Sequence, residues 1–528
     1  MLGHTRRTRR RGGIRRVALG LAAVVLTASA GCSQAAAPRG HRPGAATLVS
    51  MRRDSWSSLA ESDDLVTDPT SLLSAGQVAF LREVATRTWT FLSGPAVDPA
   101  TDLPCDSVLL AGDPGGDVQL QPLAPAQQYT NPALIGNYLS SVVAARDVGA
   151  ATPAAAEARA AAVLHRIQKM ATYKGFLFRW YSTATGLPIT GPRGEHDPDG
   201  YVSTVDNGWL AEGLLVAREA FPDLAPAFGA LLDAMQWQFL YNSAGNVLYN
   251  GYQVGKGYSE SSYENAYSGP RIAEYMAIGS GKVAGALWWG PNRTPPAGHR
   301  QRQVPRGHSV TYTDPQNHAA YPVFEGHYVY DGITFVPTFT GSMYQALAPD
   351  LVVPEQTMAP KSLGLNDRNT ALAQGAYGTL RAHTPVWGWA PAASPGDHVR
   401  YTDYGAADLA VNQGAISHAA VVPYASFLAL PVIPDQAYAN IAQLTASYPR
   451  SYTTYGFLDS VDLSSGAIAG RFMAASQMAV LMAVDDAVDH DRLQTYTGDS
   501  TYGQVLAPYL RMERYSIQDA GGSGTPTP

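Results

Sequence analysis

Two carboxyl groups held in different surroundings, one protonated and one ionised, make an acid–base pair able to cleave a bond placed between them. The acid whose surroundings best suit the ionised role is Asp206, in Ser203-Thr204-Val205-Asp206-Asn207-Gly208-Trp209. Ser203 followed three residues later by Asp206 has the spacing of a helix start. There the helix dipole and the capping amides favour a carboxylate. A protonated partner is expected among aromatic residues, where burial disfavours charge. Glu264, in Tyr263-Glu264-Asn265, and Glu325, in Phe324-Glu325-Gly326, have that context. The same residues also suit structural duty: a cap at Asp206, a salt bridge or loop charge at Glu264 and Glu325.

Other chemistries find less support. His299, His308, His318, His327, His383, His398 and His418 are scattered without paired ligand spacing. No Gly-x-Ser-x-Gly, His-Glu-x-x-His or phosphate-binding loop occurs, so neither a metal nor a cofactor is expected. Asp485-Asp486 with Asp489 and Asp491 reads as solvated charge at a helix end rather than a calcium site. The 29 Tyr and 9 Trp outnumber 13 Phe, a bias toward rings with a polar edge that suits stacking on sugars. Trp209, Tyr267, Trp387, Trp389, Tyr404, Tyr424 and Tyr455 are candidate platforms, and Arg271, Gln345, Asp408, Asp459 and Gln477 candidate partners for hydroxyls. Trp387 and Trp389, at alternate positions in a loop, point the same way if that segment is extended.

The elements that must position these residues are mostly helical. Val205, Trp209, Val216 and Ala220, beside Leu210, Leu214, Ala217 and Phe221, form two adjacent apolar stripes, as in a helix packed on most sides. Similar periodicity predicts helices at 76–93, 132–148, 153–172, 206–221, 225–240, 269–279, 340–348, 368–382, 420–430, 435–447, 466–487 and 500–512. Strand patterns are few and short, near Tyr328-Val329-Tyr330 and Ile333-Thr334-Phe335. Long Gly, Pro and aromatic-rich loops at 285–338 and 384–418 are of a length usually kept for function. Together these predict an all-α toroid whose loops build a cleft at one end.

The first residues read as an export signal: seven arginines from Arg6 to Arg16, a short apolar run Val17–Leu26, and a lipoprotein-like cleavage box Ser29-Ala30-Gly31-Cys32. Cys32 is then the lipidated N-terminus, which leaves Cys105, the second of two cysteines, without a disulfide partner. An ordinary secretory signal is the alternative. Losing residues 1–31 takes the formal net charge from −6 to −13, which disfavours nucleic acid and anionic membranes and favours neutral ligands. The expected organisation is a signal at 1–31, a flexible tether at 32–65, one domain at 66–517 and a tail at 518–528. The protein is expected to be a monomer that meets the membrane only through its lipid and meets a poly- or oligosaccharide through its cleft.

Several collinear stretches carry a family likeness. Tyr129-Thr130-Asn131-Pro132-Ala133-Leu134-Ile135-Gly136-Asn137-Tyr138-Leu139, the Asp206 helix start, Arg271-Ile272-Ala273-Glu274-Tyr275, Phe339-Thr340-Gly341-Ser342-Met343-Tyr344-Gln345-Ala346-Leu347, Trp387-Gly388-Trp389-Ala390-Pro391 and Tyr455-Gly456-Phe457-Leu458-Asp459-Ser460-Val461 are among them. Spread over residues 129–515, they resemble a bacterial glycosidase-like group that includes the endo-β-1,2-glucanases and the glucoamylase-type domains. The resemblance implies an (α/α)6 barrel and action on a neutral polysaccharide.

The chain also departs from that group's pattern. Gly269, just before Arg271, stands where relatives carry a Glu; Gln345 and Ser476 replace two further acids. An amide keeps hydrogen bonds but exchanges no proton, and glycine has nothing to titrate. Two readings therefore stand side by side, a hydrolase using Asp206 with Glu264 or Glu325, and a non-catalytic glycan-binding lipoprotein on a degenerate barrel. A polysaccharide lyase using Tyr or His as base is a third, weakened because the acidic mature chain suits uronates poorly.

Overall fold

The computed structural model describes residues 53–62, 64–123, 128–192, 196, 200–296, 301–396, 400–412 and 416–517. Cys32, the export signal and the tail at 518–528 lie outside them. The helices fall into two kinds. Ala75–Leu92, Pro153–Ile167, Ala225–Ala234, Pro434–Ser447 and Thr501–Met512 bury one stripe each. In Pro153–Ile167 that stripe is Ala156, Ala160, Val163, Leu164 and Ile167, the spacing of one helical face. In contrast Pro132–Asp147, Thr204–Ala220, Arg271–Gly279, Leu363–Tyr377, Pro423–Leu428 and Ala474–Val488 are buried nearly all round.

The buried helices pack in succession: Arg271–Gly279 on Thr204–Ala220, then Pro132–Asp147, Ala474–Val488, Pro423–Leu428, Met343–Leu347 and Leu363–Tyr377. Tyr267, just before the first of these, donates to Asp367 Oδ1 on the last at 2.6 Å. The closest crossing uses glycine against glycine. A Cβ on Gly213 would stand 2.1 Å from the Gly136 carbonyl oxygen, and one on Gly136 2.1 Å from that of Trp209. We expect Gly213→Ala to destabilise the fold by about 3 kcal/mol or more, the upper end of the cost of overpacking, as read by a lowered chemical denaturation midpoint.

Strands are more numerous than periodicity suggested, because most are only two or three residues long and carry no pattern. Four of them sit just ahead of buried helices, and each of these pairs with another short strand. Tyr129–Thr130 pairs with Tyr181–Ser182, Tyr201–Ser203 with Gly251–Gln253, Ser107–Leu109 with Arg471–Met473, and Ala420–Val421 with Val461–Asp462. The helix expected from 466 therefore begins only at Ala474. The largest strands, Arg306–Thr313 and Ala320–Tyr330, form one hairpin inside the loop 285–338.

Buried amides pin the loops to these helices. Asn207 Oδ1 accepts from the Leu177 amide at 2.9 Å while its Nδ2 donates to the Leu177 carbonyl at 2.9 Å. Asn366 does the same for Val336 and Asn440 for Trp387. Gln477 makes only half of this contact: it is buried and its Nε2 donates to the Phe457 carbonyl at 2.8 Å, while its Oε1 has no partner among the described residues. Each two-point clamp satisfies both polar groups of one buried peptide.

Described structure also lies ahead of residue 66, within the stretch read as a tether. A helix spans Arg53–Ala60, and its Trp56 is buried edge-on against Trp387 at 6.1 Å. Arg368 caps it by donating to the Leu59 and Ser62 carbonyls. Cys105 is a free, buried thiol. Among the described residues no helix is long and apolar enough to cross a membrane.

Candidate active site

The collar of short strands brings three aspartates to one end of the bundle. Asp206 lies in the first turn of Thr204–Ala220, Asp459 follows the strand Gly456–Phe457, and Asp106 precedes Ser107–Leu109. Tyrosines connect them. The Asp206 charge is felt at the hydroxyls of Tyr263 and Tyr344. The Tyr344 ring lies 6.3 Å from Trp209 and 6.3 Å from Tyr424. Tyr424 and the half-exposed Tyr401 feel both Tyr344 and Asp459. Asp459 and Asp106 share Arg471, and Asp106 is hydrogen-bonded to Tyr129.

Their acidities follow from placement. Burial raises the Asp206 carboxyl, against the opposing pull of the Ser203 hydroxyl and the Arg179 guanidinium. The expected depression by the helix start is thus reversed: Ser203 is the N-cap but its side chain makes no cap hydrogen bond, and desolvation outweighs the dipole. Asp459 is fully buried and pushed up to about 6, less far than burial alone would take it because Ser476, the Ala393 amide and Arg471 favour its charge. Asp106 is likewise raised by burial, with Tyr129 and Arg471 opposing. Burial pushes the hydroxyls of Tyr129, Tyr263, Tyr401 and Tyr424 upward, and Tyr344 to about 12. These phenols are hydrogen-bond donors rather than bases, which weighs against proton abstraction by tyrosine.

Other residues expected here sit elsewhere. The Glu264 side chain is exposed, so the aromatic enclosure expected for it is not there. Glu325 is buried and raised to about 8 as foreseen, but in a different cluster: it accepts from Tyr312 at 2.9 Å and faces Glu513 and Arg293. Trp387 and Trp389 are core, not platforms, the first against Trp56 and the second edge-on to Tyr377 at 5.1 Å. Gly388 between them has φ +119°, so the segment is not the plain strand that would align the rings. Tyr404 is buried, Tyr455 packs on Phe91 and Phe472, and Asp408 pairs with Arg302 at 2.7 Å. The Gln345 side chain accepts from Thr340 at 3.0 Å and its carbonyl from Arg271 at 2.9 Å.

Arg271 was expected to bind sugar hydroxyls. It is instead saturated, with Nε and Nη2 on the two Glu355 oxygens at 2.9 and 2.8 Å and Tyr267 stacked below its guanidinium at 4.8 Å. Asp350, Glu355 and Asp367 gather carboxylate oxygens within 4.8 Å, a donor set for a hard cation, but Arg271 already supplies positive charge there. Asp485 and Asp486 are fully buried rather than solvated, and burial raises both well above the ordinary range. The position expected to hold an acid does have room: Gly269 is buried, yet nothing lies within 4 Å of a Cβ built on it. Ser476, at another replaced acid, faces Asp459.

Comparison with known proteins bears on the fold. A family described as "Putative glucoamylase" matches residues 309–496, and one described as a protein of unknown function matches 128–281. A structure from Bacteroides fragilis with the glucoamylase description superposes with a TM-score of 0.63 at 17% identity, over 82% of this chain and 96% of that one. An endo-β-1,2-glucanase from Chitinophaga pinensis, in complex with sophorotriose and glucose, gives 0.61 at 14% identity over 82% and 97%. The chain is thus similar to this group in part of its sequence and in its fold. At these identities the structural likeness is one of fold. A cyclic β-(1,2)-glucan synthase of Rhizobium meliloti is 26% identical over 261 residues, 48% of this chain but only 8% of that much longer protein.

Asp106, Arg179, Tyr263, Tyr344, Tyr401 and Arg471 belong to the site without having been singled out from sequence. One signal was available for two of the site's loops. Gly456-Phe457-Leu458-Asp459-Ser460 echoes Gly175-Phe176-Leu177-Phe178-Arg179, each preceding a strand and then a buried helix, so Asp459 and Arg179 occupy neighbouring places in repeated hairpins.

Proposed function

We propose that this protein is an exported, lipid-anchored glycoside hydrolase on an (α/α)6 barrel, acting as a monomer on a neutral polysaccharide, with a β-1,2-linked glucan as the first substrate to test. Its organisation is the one read from sequence, Cys32 carrying the lipid and a tether leading to the barrel, with the tether ending at the helix Arg53–Ala60. The observation that carries the reading is the gathering of Asp106, Asp206 and Asp459 with hydroxyl-bearing rings around one end of the buried helices. In this reading Asp459 delivers the proton to the leaving oxygen, since it holds one up to about pH 6. Asp206, with Arg179 and Ser203 favouring its charge, is the ionised partner. The tyrosines hold sugar hydroxyls. Support for the substrate class comes from the sophorotriose-bound structure of similar fold and from the glucan synthase that is 26% identical over 48% of this chain.

The test is incubation of the purified domain with linear and cyclic β-1,2-glucans, other α- and β-linked glucans, arabinan and galactan, with Asp206→Asn as control. Sugar release above that control supports the reading, and none on any substrate overturns it. Gly269, Gln345 and Ser476 favour a second reading, a glycan-binding lipoprotein without turnover. It is supported by calorimetric binding without release and excluded by turnover that one acid substitution abolishes.

Gly269 separates the two. The space around its Cβ and the extended bias imposed by Pro270 admit a glutamate at modest cost. Gly269→Glu is expected to fold with a melting temperature within a few degrees of the parent and to raise turnover at least tenfold. A folded variant that binds glycan with no gain means that this position is not the missing acid.

A further inference from the structure

Beside Asp206 a pocket of about 260 Å³ opens between Phe178, Arg179, Trp180, Thr190, Tyr201 and Gln253. We infer that it is a subsite for a single, neutral pyranose residue at the end of a glycan chain. The inference rests on the glycan-directed reading above and extends it to which part of the chain is held.

Size comes first. The pocket falls below the ~300–1,000 Å³ of sites that enclose drug-sized ligands, which leaves room for one sugar ring and not for a length of polymer. Its depth depends on Gly200, where a Cβ would stand 2.7 Å from the Phe178 ring. The chemistry of the walls is mixed in the way a pyranose requires. Phe178 and Trp180 meet the apolar C–H faces, while Arg179, Thr190, Tyr201 and Gln253 ring them with groups that bond hydroxyls. Arg179 lies over the Trp180 ring at 5.2 Å, and Tyr129 meets that ring edge-on at 5.3 Å, so the wall is held in place from two sides. A guanidinium fixed in this way presents its fork to two neighbouring hydroxyls at once.

Position comes second. Tyr201 and Ser203 are alternate residues of one strand and so face the same side; the first lines the pocket and the second contacts Asp206. Arg179 likewise lines the pocket and acts on the Asp206 carboxyl. A terminal residue seated here brings the next glycosidic oxygen toward Asp206, whereas a ring of linked sugars has no end to insert.

Isothermal titration of a linear β-1,2-linked glucose oligosaccharide and of cyclic β-1,2-glucan tests this without requiring turnover. The linear ligand should bind at least tenfold more tightly than the cyclic one. Trp180→Ala and Arg179→Gln should each weaken linear binding at least tenfold. Thr190→Trp fills the pocket from an exposed position without removing any packing, and should do the same with an unchanged melting temperature. Equal affinity for linear and cyclic ligands, linear binding untouched in Thr190→Trp, or no binding by the wild type overturns the subsite. Binding that follows the expected pattern with no sugar released by wild-type protein leaves the subsite standing and removes only the hydrolytic reading.

Discussion

Asp206→Asn is expected to cut release of sugar by a factor of about 10²–10⁴, the range for losing a positioned acid or base, while leaving glycan binding within a few-fold of wild type. The amide is isosteric, so the Ser203 contact survives and only the ionisable group is lost. Because burial disfavours the Asp206 charge, the variant should also melt at or slightly above the parent temperature. Lost activity in a destabilised protein would instead mark Asp206 as structural. Asp459→Asn should be comparably damaging, and its signature lies in pH. An acid must be protonated to act, so kcat/KM of the parent should fall as pH rises through about 6. That alkaline limb should vanish from the residual activity of Asp459→Asn, and a limb that persists would assign the proton to another group.

The helices were legible in the sequence and the rim was not, for one physical reason. A helix such as Pro153–Ile167 repeats its burial every three to four residues, so periodicity finds it. The site is built from strands of two or three residues, too short for any period, and from side chains brought together across the chain, such as Asp106 with Arg471 and Asp206 with Tyr344. Asp206 was recognisable because a helix start is a local event. Its protonation tendency was misjudged because desolvation is not local: it is set by the elements packed around the helix. The error at Trp387 and Trp389 is of the same kind. An aromatic pair in a Gly-rich loop looks like a platform until Trp56 and Tyr377, distant in sequence, close over it.

The interior carries a further expectation, that the fold loses stability as pH rises from about 5 to 8.5. Glu212, Glu274 and Glu325 are buried and each pushed up to about 8, by desolvation in every case. Asp350, Asp367, Asp485 and Asp486 are raised well above the ordinary range for the same first reason. A carboxyl raised on folding binds more protons in the native than in the unfolded chain between its two pKa values, so stability present below the unfolded value is lost as pH climbs through the folded one. At about 1.4 kcal/mol per pKa unit, each glutamate accounts for a few kcal/mol over that window. Melting temperature should therefore fall by many degrees between pH 5.5 and pH 8.5, the opposite of a protein held together by ionised carboxylate pairs. Glu212 isolates the effect, since its only described partners are the Ser140 and Thr497 hydroxyls at 3.1 and 3.4 Å. Glu212→Gln keeps the shape and the hydrogen-bonding atoms but cannot ionise. It should leave the melting temperature at pH 5.5 nearly unchanged and raise it by several degrees at pH 8.5. A variant equally shifted at both values would mean that the Glu212 pKa is not raised on folding, and a parent that grows more stable with pH would show that these interior acids are ionised and paired after all.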